Sequence, residues 1–321
     1  MKKRERVIAA IRLEPLAQTP SLFSFHFPKA QHHGEACINA HLNYFQESDT
    51  DIVKIMNENL LTAPFTIRRG EDYFKIGKID QDHAFIQNQT TVVKQILDRY
   101  KGDGFTCGTL HGITASAIHP LENCGISYTT ARKFICTLLR ENKRKMVSQL
   151  EYICDALCIL ARIYVRAGLD GVYYASLGGE EGYFSDEEFE KYIKPLDLRI
   201  MNTIVSEGGY CILHICKHPI KISRYFGYEQ YAHIINWGTH ETGISLEQGR
   251  EIYPERCILG GMANHDGVLA HGNTEEIRSV VQKLIQTFGR RGFILGADCT
   301  VNPGCNVKNI RTAVEAAREP C

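Results

Sequence analysis

The chain has 321 residues, its 37 lysines and arginines balance 37 aspartates and glutamates, and 44% of it is hydrophobic. A formal net charge of zero provides no global field to draw the molecule to nucleic acid or an anionic membrane, so neither is an expected partner. No window approaches the unbroken apolar length that crosses a bilayer, and no Pro/Gly/Ser linker or charged tract divides the chain, so a single α/β domain over 1–321 is expected.

The opening MKKRERVIAAIRLEP has a basic start and a short apolar stretch interrupted by Arg12, which reads as a surface helix rather than a secretion signal. Thereafter short β-branched or apolar runs recur, each followed by a polar turn and a segment of helical period. The predicted strands are PSLFSF (20–25), DIVKIM (51–56), GFTCGTL (104–110), GVYYAS (171–176), YCILHIC (210–216), HIINW (233–237), CILGGM (257–262) and GFILGADC (292–299). Between the third and fourth, residues 128–167 carry Phe134, Leu138, Leu139, Met146, Leu150 and Ile153 near helical spacing, which predicts two inserted helices. Later helices carry capping boxes: Ser185 with Glu188, opening a helix toward Gly208; Ser245 with Gln248; and Asn273 with Glu276, opening one that stops near Gly289.

Eight βα units in this length predict a (β/α)8 TIM barrel with an N-terminal helix and a helical insertion between strands 3 and 4. A doubly wound open sheet would show a glycine-rich phosphate loop after its first strand. The residues there, HFPKAQHHG, do not form one. The glycine pairs at 178–179 and 260–261 are assigned to close packing or turns. Twelve cysteines are scattered without a framework, several in helical patterns such as Cys136, Cys154 and Cys158, which points to reduced thiols and a cytoplasmic location.

Side chains alternate along a strand, so Tyr210, Ile212, His214 and Cys216 share one face of YCILHIC while Cys211, Leu213 and Ile215 share the other. One face is apolar; the other ends in two metal-ligand side chains, roughly 6.6 Å apart along the strand and able to reach one ion. In a barrel, reactive groups come from the C-terminal strand ends. Cys299 at the end of the eighth strand, on the face of Phe293, Leu295 and Ala297, supplies a third soft donor. Three ligands of this kind suit a zinc ion with an open fourth position, the mark of a catalytic site. Cys305, in a loop after Pro303 and Gly304, is the rival third ligand, and His218, just before Pro219, is assigned to the loop rather than to the ion.

Other polar residues near strand ends could face the mouth: His111, Ser176, Glu181, Asn236, His240, Asn264 and His265. Of these, Asn236, Asn264 and His240 are the expected cofactor-binding residues, Asn236 and Asn264 foremost because their strands adjoin the zinc strands. Trp237 is expected to pack. Of Tyr173 and Tyr174, one is expected to line the pocket and the other to lie under helices.

HIC at 214–216, INWGTHETGISLEQGRE at 235–251, LGGMANHDG at 259–267, FILGADC at 293–299 and NIRTAVEAARE at 309–319 resemble the uroporphyrinogen decarboxylase superfamily. Within it, the chain is most similar to the branch of zinc-dependent methylcobamide:thiol (coenzyme M) methyltransferases, and RERVIAAIRLEP resembles the family's opening helix. The resemblance implies the same barrel, zinc held by His214, Cys216 and Cys299, and a methyl group moved from a corrinoid (cobalamin), carried by a partner protein, to a zinc-activated small-molecule thiol or a related acceptor. The decarboxylase itself fits less well. Its first-strand loop carries arginines for substrate carboxylates, whereas SFHFPKAQHH has none, and its aspartate after the second strand is replaced by Asn57 and Glu58 in KIMNENL. Decarboxylation of a tetrapyrrole is therefore the second enzymatic reading, and a non-catalytic corrinoid or metal-binding protein the alternative of another class.

Overall fold

The structure, a computed structural model, describes residues 1–320. Eight parallel strands form the sheet: β1 (Ser21–Leu22), β2 (Ile52–Ile55), β3 (Phe105–His111), β4 (Gly171–Ser176), β5 (Tyr210–Ile215), β6 (Ile234–Trp237), β7 (Cys257–Met262) and β8 (Phe293–Ala297). Their order is β1-β8-β7-β6-β5-β4-β3-β2, a (β/α)8 barrel opened only between β1 and β2. That seam is bridged by Asp51, whose backbone N–H donates to the Ser21 carbonyl at 3.1 Å while its carboxylate accepts from the Ser21 N–H at 3.1 Å and hydroxyl at 2.9 Å. Arg6 and Arg318 also donate to this fully buried carboxylate.

Strand alternation divides the core into two layers. Leu22, Ile52, Phe105, Ile212, Ile234, Leu259 and Ile294 fill the barrel, while Val53, Val172, Leu213, Ile235, Ile258 and Leu295 face the helices. The first helix (Lys3–Ile11) is more than a surface element. Its Val7 and Ala10 join the interior cluster, and Arg4 reaches Asp103 and Asp170 at the starts of β3 and β4, so the helix stoppers the N-terminal end of the barrel.

The two helices expected over 128–167 are present as Tyr128–Glu141 and Lys143–Arg166, and a third, Ile113–Asn123, precedes them. The longest covers β3 directly: a Cβ on Gly108 would lie 2.7 Å from the Tyr164 ring, whose hydroxyl donates to the Thr109 carbonyl. All three capping boxes form as expected. The helix opened by Ser185 contains one π turn, Phe189–Ile193, just ahead of Pro195, which has no N–H to continue the α ladder. Trp237 packs as expected. Its ring lies so close to the helix Leu246–Ile252 that only glycine fits at 249, where a Cβ would meet the ring at 1.9 Å.

Candidate metal centre

β5 delivers its two donors as its alternation dictates. Tyr210 and Ile212 face the barrel interior and His214 continues that face, while Cys216, one residue past the strand, is still tied to the ladder by its N–H donating to the Ser176 carbonyl at 3.0 Å. Cys299 arrives differently. Phe293, Leu295 and Ala297 face the helices, not the mouth, so the face expected for Cys299 by strand parity is the wrong one. β8 ends at Ala297, the chain bends at Asp298, and that break turns the Cys299 side chain inward. The donor atoms of His214, Cys216 and Cys299 all lie within 4.8 Å of one another, the one such cluster of three among the described residues.

The imidazole is oriented by its strand neighbour. β5 and β6 pair in register His214 to Asn236, and the Asn236 amide donates from Nδ2 to the carbonyls of Leu259 (2.9 Å) and Ala297 (3.2 Å). Both partners only accept, so Oδ1 must face His214, where it accepts from Nδ1–H at 2.6 Å. The open Nε2 then points at Cys299 Sγ, 3.3 Å away. Zinc in tetrahedral N/S coordination separates its donors by about 3.3–3.8 Å. One neutral imidazole nitrogen with its tautomer set from behind, and two thiols, are the donor chemistry this ion takes, so the residues present fit it. The interaction with Cys216 holds the Cys299 thiol well below the usual thiol range, and the same interaction together with burial holds Cys216 above it.

A family model described as uroporphyrinogen decarboxylase (URO-D) matches residues 125–320, which include all three donors. The chain belongs to the uroporphyrinogen decarboxylase family. Its barrel is shared along the whole length with a structure described as a methyltransferase from Methanosarcina mazei, at a TM-score of 0.77 and 14% identity over 99% of this chain and 98% of that one. It is shared more loosely with a B12-independent methionine synthase from Shewanella sp. W3-18-1 (TM-score 0.58, 12% identity, 94% of this chain and 97% of that one). No curated protein matches the sequence.

In this family member the donors open onto a cavity of about 270 Å³ at the C-terminal mouth of the barrel. A larger cavity of about 500 Å³ lies outside, against the helix Thr274–Phe288, and contains none of the three. Tyr173 lines the inner cavity, stacks on His214 with ring centroids 5.5 Å apart and donates to Asn236 Oδ1 at 3.1 Å, while Tyr174 lies under the helices. Asn264 also lines the cavity. Its Nδ2 donates to the Thr300 carbonyl at 3.3 Å, tying the β7 loop to the loop that carries Cys299.

Asn236, expected at the cofactor, instead stands behind His214. His240 does not reach this cavity: its backbone N–H and Nδ1 bond to the buried Asp298 carboxylate, and its side chain borders the outer cavity. That carboxylate raises the imidazole pKa above its ordinary value. Cys305 is buried elsewhere, its thiol donating to the Leu269 carbonyl at 3.0 Å, and His218 is an exposed loop residue before a cis Pro219. Ser176 turns to Asp197 beneath the helices, Glu181 is exposed, and His111 and His265 do line the cavity.

Lys54 is a further residue of the site, with a signal in the sequence: in DIVKIM it shares the inward parity of Ile52, which puts a cation inside a barrel. It is 7% exposed, donates to Ser24 Oγ at 2.8 Å and sits 3.7 Å above the Tyr173 ring centroid. Burial pushes its pKa down to about 8, with nearby thiols opposing. The eleven described cysteines are all free, eight of them buried, and no described helix is long and apolar enough to cross a membrane.

Proposed function

We propose that this family member is a zinc-dependent methyltransferase that moves a methyl group from a corrinoid, carried by a partner protein, to a small-molecule thiol. The observation that carries the reading is the convergence of His214, Cys216 and Cys299 on one point of a cavity at the barrel mouth, with the histidine tautomer already set by Asn236. Bound there, zinc would supply the Lewis acidity that lets an acceptor thiol lose its proton near neutral pH. His214 would present a lone pair, and Cys216 and Cys299, bound as thiolates, would bring two negative charges that balance the ion. That balance leaves an acceptor sulfur electron-rich. Lys54 places a cation in the same cavity, over the ring face of Tyr173.

The decarboxylase reading has less support from the site. No arginine is among the described residues that line the cavity, and about 270 Å³ is small for a tetrapyrrole, whose carboxylates call for bidentate donors. The experiment is zinc analysis of purified protein followed by spectroscopic measurement of methylcobalamin demethylation on addition of thiols. Zinc-dependent loss of the methyl group supports the reading. Bound zinc with inert methylcobalamin removes the corrinoid as donor, and metal-independent carbon dioxide release from uroporphyrinogen replaces the reading with decarboxylation.

A further inference from the structure

A second chamber of about 270 Å³ adjoins the metal cavity, and Cys216, His111, His26, Ala175 and Lys217 form walls of both. Leu60, Ala115, Ile118 and Leu177 give it an apolar bed suited to a short methylene chain, while its polar wall carries Glu58, Glu122 and His119 together with the Tyr128 hydroxyl and Lys217. Glu58 accepts from His26 Nδ1 at 2.8 Å. Burial opposes its ionisation, yet His26 and the neighbouring histidines hold its pKa below the ordinary value. Glu122 is pushed up by burial, with Lys217 opposing, so its carboxylate is under-compensated.

His119 supplies an independent observation. It is 9% exposed and its Nδ1 has no hydrogen-bond partner among the described residues. Burial lowers its pKa to about 4, so the ring is neutral at pH 7 and can accept. A buried polar atom without a partner is unfavourable, and a ligand that donates to it removes the penalty.

We propose that the thiol acceptor carries an ammonium group: a short aminothiol whose sulfur meets the His214–Cys216–Cys299 cluster and whose cation lies among Glu58, Glu122 and His119. The sulfur's role rests on the methyl-transfer reading; the charge preference of the chamber stands apart from it. An ammonium has three donors, and the wall offers three acceptor groups. An anionic headgroup finds no arginine among the described residues lining either chamber. Lys217 is exposed, with its charge facing Glu122 and the Tyr128 ring, and Lys54 is held by Ser24 and Tyr173. Among the acidic and basic chains lining the second chamber, the carboxylates of Glu58 and Glu122 outnumber the one lysine, Lys217, which disfavours a sulfonate or carboxylate alone.

The test compares three thioethers of one length, 2-(methylthio)ethylamine, 2-(methylthio)ethanol and 2-(methylthio)ethanesulfonate, binding to the zinc-loaded full chain by calorimetry at pH 7. The amine is expected to bind at least about tenfold more tightly than the sulfonate, and E58Q or E122Q to narrow that ratio by about tenfold. The two variants are isosteric, and either one that keeps the wild-type circular dichroism decides the matter. Equal binding, or tighter binding of the sulfonate, overturns the inference. A parallel turnover assay with the matching thiols separates the two readings. If no thiol is methylated while the amine preference persists, methyl transfer falls and the cation chamber stands; if 2-mercaptoethanesulfonate is the better acceptor, the chamber assignment falls and methyl transfer stands.

Discussion

Replacing Asn236 with alanine tests the claim that the zinc site is set from behind the imidazole. The amide makes two bonds from Nδ2, to the Leu259 and Ala297 carbonyls, and accepts at Oδ1 from His214 and from Tyr173. Its loss leaves two buried carbonyls without that donor, which lowers stability by about 1–3 kcal/mol. It also frees the His214 proton to move to Nε2, the atom that faces Cys299, where it blocks the metal. Outer partners of metal-bound histidines are typically worth about 10–100-fold in affinity, so zinc binding should weaken by about 1.4–2.7 kcal/mol. The assay is competition for zinc against a chromophoric chelator at pH 7, on N236A and on Y173F, which removes one bond to Asn236 but keeps the ring against His214. The expected order is a large loss for N236A and less than about threefold for Y173F. Zinc affinity in N236A within about twofold of wild type, alongside the expected loss of stability, would refute the orienting role of Asn236.

The choice between two candidate third ligands has a direct readout: C299S should lose zinc on dialysis while C305A retains it, and the reverse pattern by elemental analysis would show that the mouth rearranges around Cys305. At the barrel seam, D51A strands the buried Arg6 guanidinium without its carboxylate and should destabilise the fold by about 3–5 kcal/mol; a change below about 1 kcal/mol in urea melts would show that the seam is not held there. Acid should destabilise the protein through His41, which donates from Nδ1 to the Cys37 carbonyl at 2.7 Å and accepts the Met56 N–H on Nε2 at 3.0 Å. Burial lowers its pKa from 6.5 to about 4, so the unfolded chain binds the extra proton first. Stability from this group is therefore complete above about pH 6.5 and falls by up to about 3 kcal/mol on descent to about pH 4. A urea midpoint that does not drop between pH 7 and pH 5 would contradict this neutral, doubly bonded state.

Much of this molecule is determined locally. Apolar runs of strand length between polar turns mark all eight strands, because pairing and burial on both faces of a parallel barrel demand them, and serine or asparagine three residues before glutamate or glutamine marks helix starts through bonds made within one turn. The two-residue period likewise puts His214 and Cys216 on the inner face of one strand, and the same period marks Lys54 as inward. Tertiary structure decided the rest. Strand parity misassigned Cys299, because the turn at Asp298 that re-aims it depends on bonds from residues about sixty positions away, at 239 and 240. Asn236 stands behind His214, and His119, Glu58 and Glu122 share a chamber, through the closure of the barrel, which places strand ends from different parts of the chain around one mouth. A residue's type and period specify which way it points from its own strand; which groups it meets there is set by contacts across the sheet and between loops.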